Sequence, residues 1–380
     1  MTSTSAFHAA RIFDGTTWHT NAALLVAQGR VAGIVPATDA PKGTQVAGAI
    51  VPGLVDLQVN GGGGVLFNND LSTDAIGAIC TAHAQFGTTA VMVTLITDTA
   101  QSTVTAINAG HAALNTPGFL GLHLEGPHLD LARKGTHDPA LIRQMDACDL
   151  AVLVSAAQGV DHLICTVAPE SVTTHQVAAL ARAGITVSLG HTGCDHATAR
   201  AYADAGATMV THLFNAMGQM EHRTPNLVGA ALDDGRLWAG LIADGFHVAD
   251  APMRVALRGK AGLAGMFLVS DAMSTIGSDL TEFTLNGRQI FRAGGRLTLA
   301  DGTLAGADIA LIDAVRYVHQ SLMLPLGEAL NLAALAPARA MGITDRGHLE
   351  KGAHADFVSL TPEITAASTW IGGRKVGGTA

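Results

Sequence analysis

The chain has 380 residues, 48% of them hydrophobic and 14% charged, a composition that describes a compact protein able to hold one large domain and a smaller one. Its 22 Lys plus Arg against 31 Asp plus Glu give a formal net charge of −9. That balance excludes a broad basic face for nucleic acid or an anionic membrane, so a phosphorylated ligand would need a local cationic pocket. Cys80, Cys148, Cys165 and Cys194 show no CxxC spacing, residues 1–10 carry no signal-peptide pattern, and no apolar stretch reaches membrane length. A cytoplasmic protein with reduced thiols is expected.

From the N-terminus, residues 7–50 contain short alternating runs, 22–27 and 30–35, joined at Gln28-Gly29, a hairpin signal. Eight apolar runs then read as strands buried on both faces: 50–59, 89–96, 119–124, 162–167, 185–189, 208–212, 237–243 and 265–270. Helical periodicity separates most of them, at 74–86, 102–114, 175–183, 196–205 and 252–259. Residues 130–159 carry extra length, which fits an active-site loop ahead of its helix. After the eighth strand, 308–322 and 327–340 are helical, and 355–360 with 369–376, turning at Gly372-Gly373, return to short strands. Strand and helix alternating in this way predict an α/β fold, a (β/α)8 TIM-like barrel with a small β-domain formed by both chain ends. The expected division is a barrel over 51–344 and a β-domain from 1–50 and 345–380.

Five of the apolar runs end on a residue that binds metal or moves protons: Glu125, His191, His212, Asp244 and Asp271. Carboxylates and imidazoles at strand ends suit the carboxyl-end crevice of a parallel sheet better than a core. His123 and Glu125 alternate on one strand and so face the same side. His191 and His212 are one short βα unit apart, so adjacent strands would present both rings to one ion. Glu, His and His leave a coordination position open, the pattern of a catalytic site for one divalent ion, zinc or iron. Asp271 then faces the ion's water as general base and acid. Most other histidines, His83 among them, are assigned to surfaces and helix faces, and His128 either lines the pocket or caps a loop.

Over nearly its whole length the chain resembles the N-acetylglucosamine-6-phosphate deacetylases of the amidohydrolase superfamily. The stretches that carry the likeness are Leu-His-Leu-Glu125-Gly-Pro, Lys134-Gly-Thr136-His137, Gly-His191-Thr, Thr-His212-Leu-Phe-Asn215-Ala216-Met, Ile-Ala-Asp244-Gly245-Phe246-His247-Val and Ser270-Asp271-Ala-Met. The resemblance implies that Glu125, His191 and His212 hold one ion per subunit, with Asp271 as base. It implies that His137, next to Thr136, polarises the acetyl carbonyl of a phosphosugar. Asn215, Ala216 and His247 would hold the phosphate, with Asp244, Gly245 and Phe246 beside them, and Leu304, Ala305, Gly306 and Ala307 would close over the sugar. Arg223 would complete the neighbouring site of a homodimer; neither nucleic acid nor membrane is an expected partner.

Two departures from related barrels bear on chemistry. Gln58 and Asn60 stand where many amidohydrolases carry His-x-His, which resembles the single-metal branch. The segment after Met217 lacks the family's proline-rich text, although Arg223 is present. The rival readings are a deacetylase preferring the galactosamine epimer, and a barrel that has lost catalysis and serves as an interaction protein. Retention of Glu125, His191, His212 and Asp271 argues against the second.

Overall fold

The computed structural model describes residues 4–378. Eight parallel strands follow one another around a ring: Leu54–Val59, Thr88–Ile96, Phe119–Glu125, Leu163–Val167, Thr186–Leu189, Ala207–Val210, Trp238–Leu241 and Met266–Leu268. The ring closes between its last and first members, where Val59 bridges Ala272 and the Asp271 and Asn60 amides donate to the Gln58 and Ala272 carbonyls. One cluster of buried apolar side chains joins strands to helices, through residues such as Val91, Leu122, Ile79 and Leu180. A second joins Leu57, Met92, Ile164, Met209, Ile242 and Phe267, which meet across the inside of the ring. The fold is a (β/α)8 barrel with a separate sheet built from both chain ends. No helix among the described residues is long and apolar enough to cross a membrane.

The terminal sheet pairs Ala49–Pro52 antiparallel with Phe357–Leu360, so the chain ends close on each other. The hairpin at Gln28-Gly29 has φ of 53° and 75° at those residues, the primed turn that matches strand twist. The run read as one strand over 50–59 is two. Ala49–Pro52 belongs to the terminal sheet and Leu54–Val59 opens the barrel. Gly53 is the junction, where a Cβ would lie 2.1 Å from the Thr89 hydroxyl. Apolar continuity hid the boundary because both pieces are buried.

Three further differences have physical causes. Helix Asn226–Asp233 went unread because six of its residues, Leu227 to Leu232, are buried, leaving no polar face to mark a period. The segment 327–340 is two helices, Leu326–Ala333 and Leu335–Ala340. Pro337 removes one N–H, and its ring crowds the carbonyl four residues back, which ends the first helix. Between the eighth strand and helix Leu311–Gln320 the chain inserts a four-stranded antiparallel sheet, Glu282–Leu285, Arg288–Ala293, Arg296–Thr298 and Leu304–Ala307. Its signals were present in Asn286-Gly287 and Gly294-Gly295, with Phe283, Leu285, Ile290 and Leu297 alternating inward.

Asp56 on the first barrel strand is fully buried and its Oδ2 has no partner, while Oδ1 accepts the Ser270 amide at 3.2 Å. Burial pushes its carboxyl up to about 7. An acid with a raised folded-state pKa favours folding below its unfolded pKa near 4, and that advantage is lost as pH rises through about 7. Asp56→Asn should therefore gain stability relative to wild type between pH 5 and pH 8, by a few kcal/mol at roughly 1.4 per unit. Thermal midpoints at the two pH values test this. Parallel shifts in both proteins would exclude Asp56 as the titrating group.

Candidate active site

Each of four candidate side chains sits at or just past the carboxyl end of a barrel strand. Glu125 is the last residue of Phe119–Glu125, His191 follows Thr186–Leu189, His212 follows Ala207–Val210, and Asp271 follows Met266–Leu268. His191, His212 and Asp271 all have positive φ, 48°, 29° and 50°. Such backbone costs about 1–3 kcal/mol per residue and persists only where the surroundings enforce it. Here it turns the chain sharply and brings three side chains into one mouth. Gly126 has a related role: with φ 83°, a Cβ there would meet the Thr97 hydroxyl at 2.1 Å.

The donor atoms of Glu125, His191 and His212 form a small triangle. His212 Nε2 lies 3.0 Å from Glu125 Oε1 and 3.1 Å from His191 Nε2, and His191 Nε2 lies 3.3 Å from Glu125 Oε1. Ligands about 2.1 Å from a shared divalent ion are separated by roughly such distances. The tautomer fits as well. His191 Nδ1 is 2.8 Å from the Arg133 carbonyl, which only accepts, so Nδ1 carries the proton and Nε2 turns its lone pair to the triangle. Burial would raise the Glu125 carboxyl, but the neighbouring His191 and His212 rings hold it well below the usual range. Burial alone would lower His212, and Glu125 raises it instead. The three residues are a buried donor set fitted to a cation.

Asp271 stands beside this triangle. Gln58 Nε2 donates to Asp271 Oδ1 at 3.1 Å and to Glu125 Oε1 at 3.2 Å, and Asn60 Nδ2 donates to Asp271 Oδ1 at 2.8 Å. Carboxylates are acceptors only, which fixes the amide orientations. Gln58 and Asn60 thus turn N–H groups toward the acids and secure them. Burial and then the Glu125 charge push Asp271 up to about 6. His137 is buried, with Nδ1 2.7 Å from the Thr97 hydroxyl and its ring edge-on to His191 at 4.3 Å between centroids. Burial, followed by the neighbouring His191, holds it neutral, well below the ordinary histidine value.

A cavity of about 230 Å³ opens over these groups, lined by Glu125, His191, His212, Asp271, Thr136, His137, Asn215, Ala216, His247, Leu304 and Gly306. Asn60, noted above for its place in the His-x-His position, also lines it, as do Ile96, Gly135, Ile242, Met273 and Thr303, which the sequence does not mark as site residues. The apolar ones are indistinguishable from core residues in sequence. Asp244 lies behind the wall, where it accepts the Phe246 and His247 amides at 2.8 Å each and meets His247 Nδ1 at 2.7 Å. It therefore sets the His247 ring. Gly245, Phe246, Ala305 and Ala307 do not line the cavity; Ala305 and Ala307 are buried on the other face of their strand. Arg223 is exposed on a loop and does not reach its own chain's cavity. His128 lines a separate cavity against Arg143 and Asp149, and His83, assigned to a surface or helix face, is fully buried on its helix against the Gly61 carbonyl.

The amidohydrolase family profile matches residues 49–376. The chain belongs to the amidohydrolase family. It is an enzyme of the metal-dependent hydrolase type, and its Glu125, His191 and His212 are a donor set able to hold the ion. An N-acetylgalactosamine-6-phosphate deacetylase of Shewanella sp. (strain ANA-3) is 37% identical over 88% of this chain and 85% of its own length. An N-acetylglucosamine-6-phosphate deacetylase of Haemophilus influenzae is 33% identical over 86% of each. The crystal structure of N-acetylglucosamine-6-phosphate deacetylase from Pasteurella multocida superimposes with a TM-score of 0.93 at 29% identity, covering 98% of this chain and 99% of that one.

Proposed function

We propose that the chain hydrolyses the acetamide of N-acetyl-D-glucosamine 6-phosphate to D-glucosamine 6-phosphate and acetate, with one divalent ion, zinc or iron, at Glu125, His191 and His212. The supporting observation is the pairing, across one cavity, of a three-atom donor triangle with a buried carboxyl that faces it. An ion in the triangle supplies Lewis acidity, which makes water nucleophilic at neutral pH and draws charge from a carbonyl. Asp271, secured at Oδ1 by Gln58 and Asn60, has Oδ2 free to take the proton from that water and return it to the departing amine. A carboxyl pushed toward neutrality suits both transfers. His137, neutral and held at Nδ1 by the Thr97 hydroxyl, lines the cavity beside His191, where it faces the acetyl oxygen.

Asn215, Ala216 and His247 are at hand for the phosphate, and the exposed Arg223 is assigned to the cavity of a second subunit in a homodimer. A guanidinium matches phosphate with two parallel N–H groups, and charge-assisted hydrogen bonds contribute about 1.5–3 kcal/mol. Arg223→Ala should thus lower kcat/KM on the phosphosugar by roughly ten- to a hundredfold, and barely affect the unphosphorylated sugar. Mixing it with Asp271→Asn should regenerate one intact site per heterodimer. Equal losses on both sugars would remove the phosphate role, and no recovery after verified subunit exchange would remove the shared site.

The second reading is preference for N-acetyl-D-galactosamine 6-phosphate, favoured by the Shewanella relative at 37% identity. Deacetylation rates on both 6-phosphorylated epimers, with metal analysis of the same sample, test the assignment. A higher kcat/KM on the galacto substrate would replace the first reading with the second.

A further inference from the structure

The inserted sheet does more than border the cavity. Its first hairpin turns at Asn286-Gly287, with φ of 47° and 74° and Leu285 paired to Arg288, a two-residue primed turn. Both side chains flanking the glycine leave the insert and grip the barrel. Asn286 Nδ2 donates to the Thr97 carbonyl at 3.1 Å, and Arg288 Nη2 donates to the Thr136 carbonyl. Thr97 is the residue whose hydroxyl meets His137 Nδ1 at 2.7 Å, and Thr136 precedes His137 in the chain.

We propose that Asn286 and Arg288 are positioning residues for His137, holding its ring through Thr97 and its backbone through Thr136. The inference rests on the reading in which His137 faces the acetyl carbonyl. His137 lies in a loop without regular structure, and its Nδ1 bond to Thr97 is the ring hydrogen bond that orients it. Thr97 itself lies just past the end of Thr88–Ile96, outside the strand that would otherwise fix it. Arg288 Nε is buried without a partner, a cost that a merely decorative surface arginine would avoid by extending into water. The same sheet brings Leu304 and Gly306 to the cavity wall. Substrate contact at the far strand and the grip on His137 at the near hairpin thus belong to one packed unit, whose core is Phe283, Leu285, Ile290, Leu297 and Ala305.

Asn286→Gly and Arg288→Ala test this, each alone and each combined with His137→Asn. Glycine retains the turn, because the left-handed backbone suits it, while removing the amide. Small displacements of a reacting group cost up to about a hundredfold in rate, so each single variant should lose roughly ten- to a hundredfold in kcat with a smaller change in KM. Neither should lower the ion content. In the His137→Asn background the same changes should cost nothing further, because the group they position is gone. Nitrogen NMR of labelled imidazoles gives a readout apart from turnover: His137 should show one fixed tautomer in wild type and an averaged pattern in the variants. Equal losses with and without His137, or an unchanged His137 spectrum in both variants, would overturn the proposal. Full turnover in His137→Asn alone would instead overturn the role assigned to His137, and the spectra would still decide whether the hairpin holds the ring.

Discussion

Asp271→Asn should remove most turnover, by about 10²–10⁴-fold in kcat, while leaving the fold and the bound ion in place. The substitution is nearly isosteric, and Asn tolerates the left-handed backbone that residue 271 adopts at φ 50°. Its amide oxygen would keep the two bonds that Asp271 Oδ1 accepts from Gln58 and Asn60. The amide nitrogen then falls where Oδ2 was, and a neutral amide cannot take a proton from water. Asp271→Ala would be a poorer test, since it strands the Gln58 and Asn60 donors in a buried site. Steady-state kinetics, with metal analysis and thermal melting of the same samples, separate the outcomes. Near wild-type turnover with the ion retained would exclude Asp271 as the base.

The reading of the barrel from sequence worked where burial is two-sided. A parallel strand covered by helices is a continuous apolar run, and eight such runs are visible even when their limits are off by a few residues. The candidate site residues could be picked out for the same reason: a His or Glu at the end of a Val- and Leu-rich run has no apolar explanation. What could not be read is geometry created by non-adjacent segments. Gln58 and Asn60 were recognisable as poor ligands, but only the structure shows them donating to Glu125 and Asp271. The inserted sheet was missed because its strands have three to six residues and only one apolar face. The positive φ at His191, His212 and Asp271 leaves no trace in residue type, since none of the three is glycine.

His212→Ala should strip the ion and with it most of the turnover. Removing His212 breaks two sides of the donor triangle at once, those to Glu125 at 3.0 Å and to His191 at 3.1 Å. The remaining pair, one imidazole and one carboxylate, is too small a set for tight divalent binding. Lewis-acid stabilisation of several kcal/mol then disappears, on the order of a thousandfold or more in rate. Gln58→Ala should behave differently. Its amide points N–H groups at the carboxylates, and a donor hydrogen cannot ligate a cation, so the ion should stay. The same reasoning bears on stoichiometry, because Gln58 and Asn60 turn amide N–H groups to the carboxylates and offer no imidazole where His-x-His would hold a second ion. Dialysed wild type and Gln58→Ala should each carry one ion per chain by elemental analysis, and His212→Ala almost none. A chelator should lower the melting temperature of the first two, since an ion that binds only the folded state stabilises it by mass action, and leave that of His212→Ala unmoved. Two stoichiometric ions in wild type would sink the single-ion site, and a fully loaded His212→Ala would remove His212 from the ligand set.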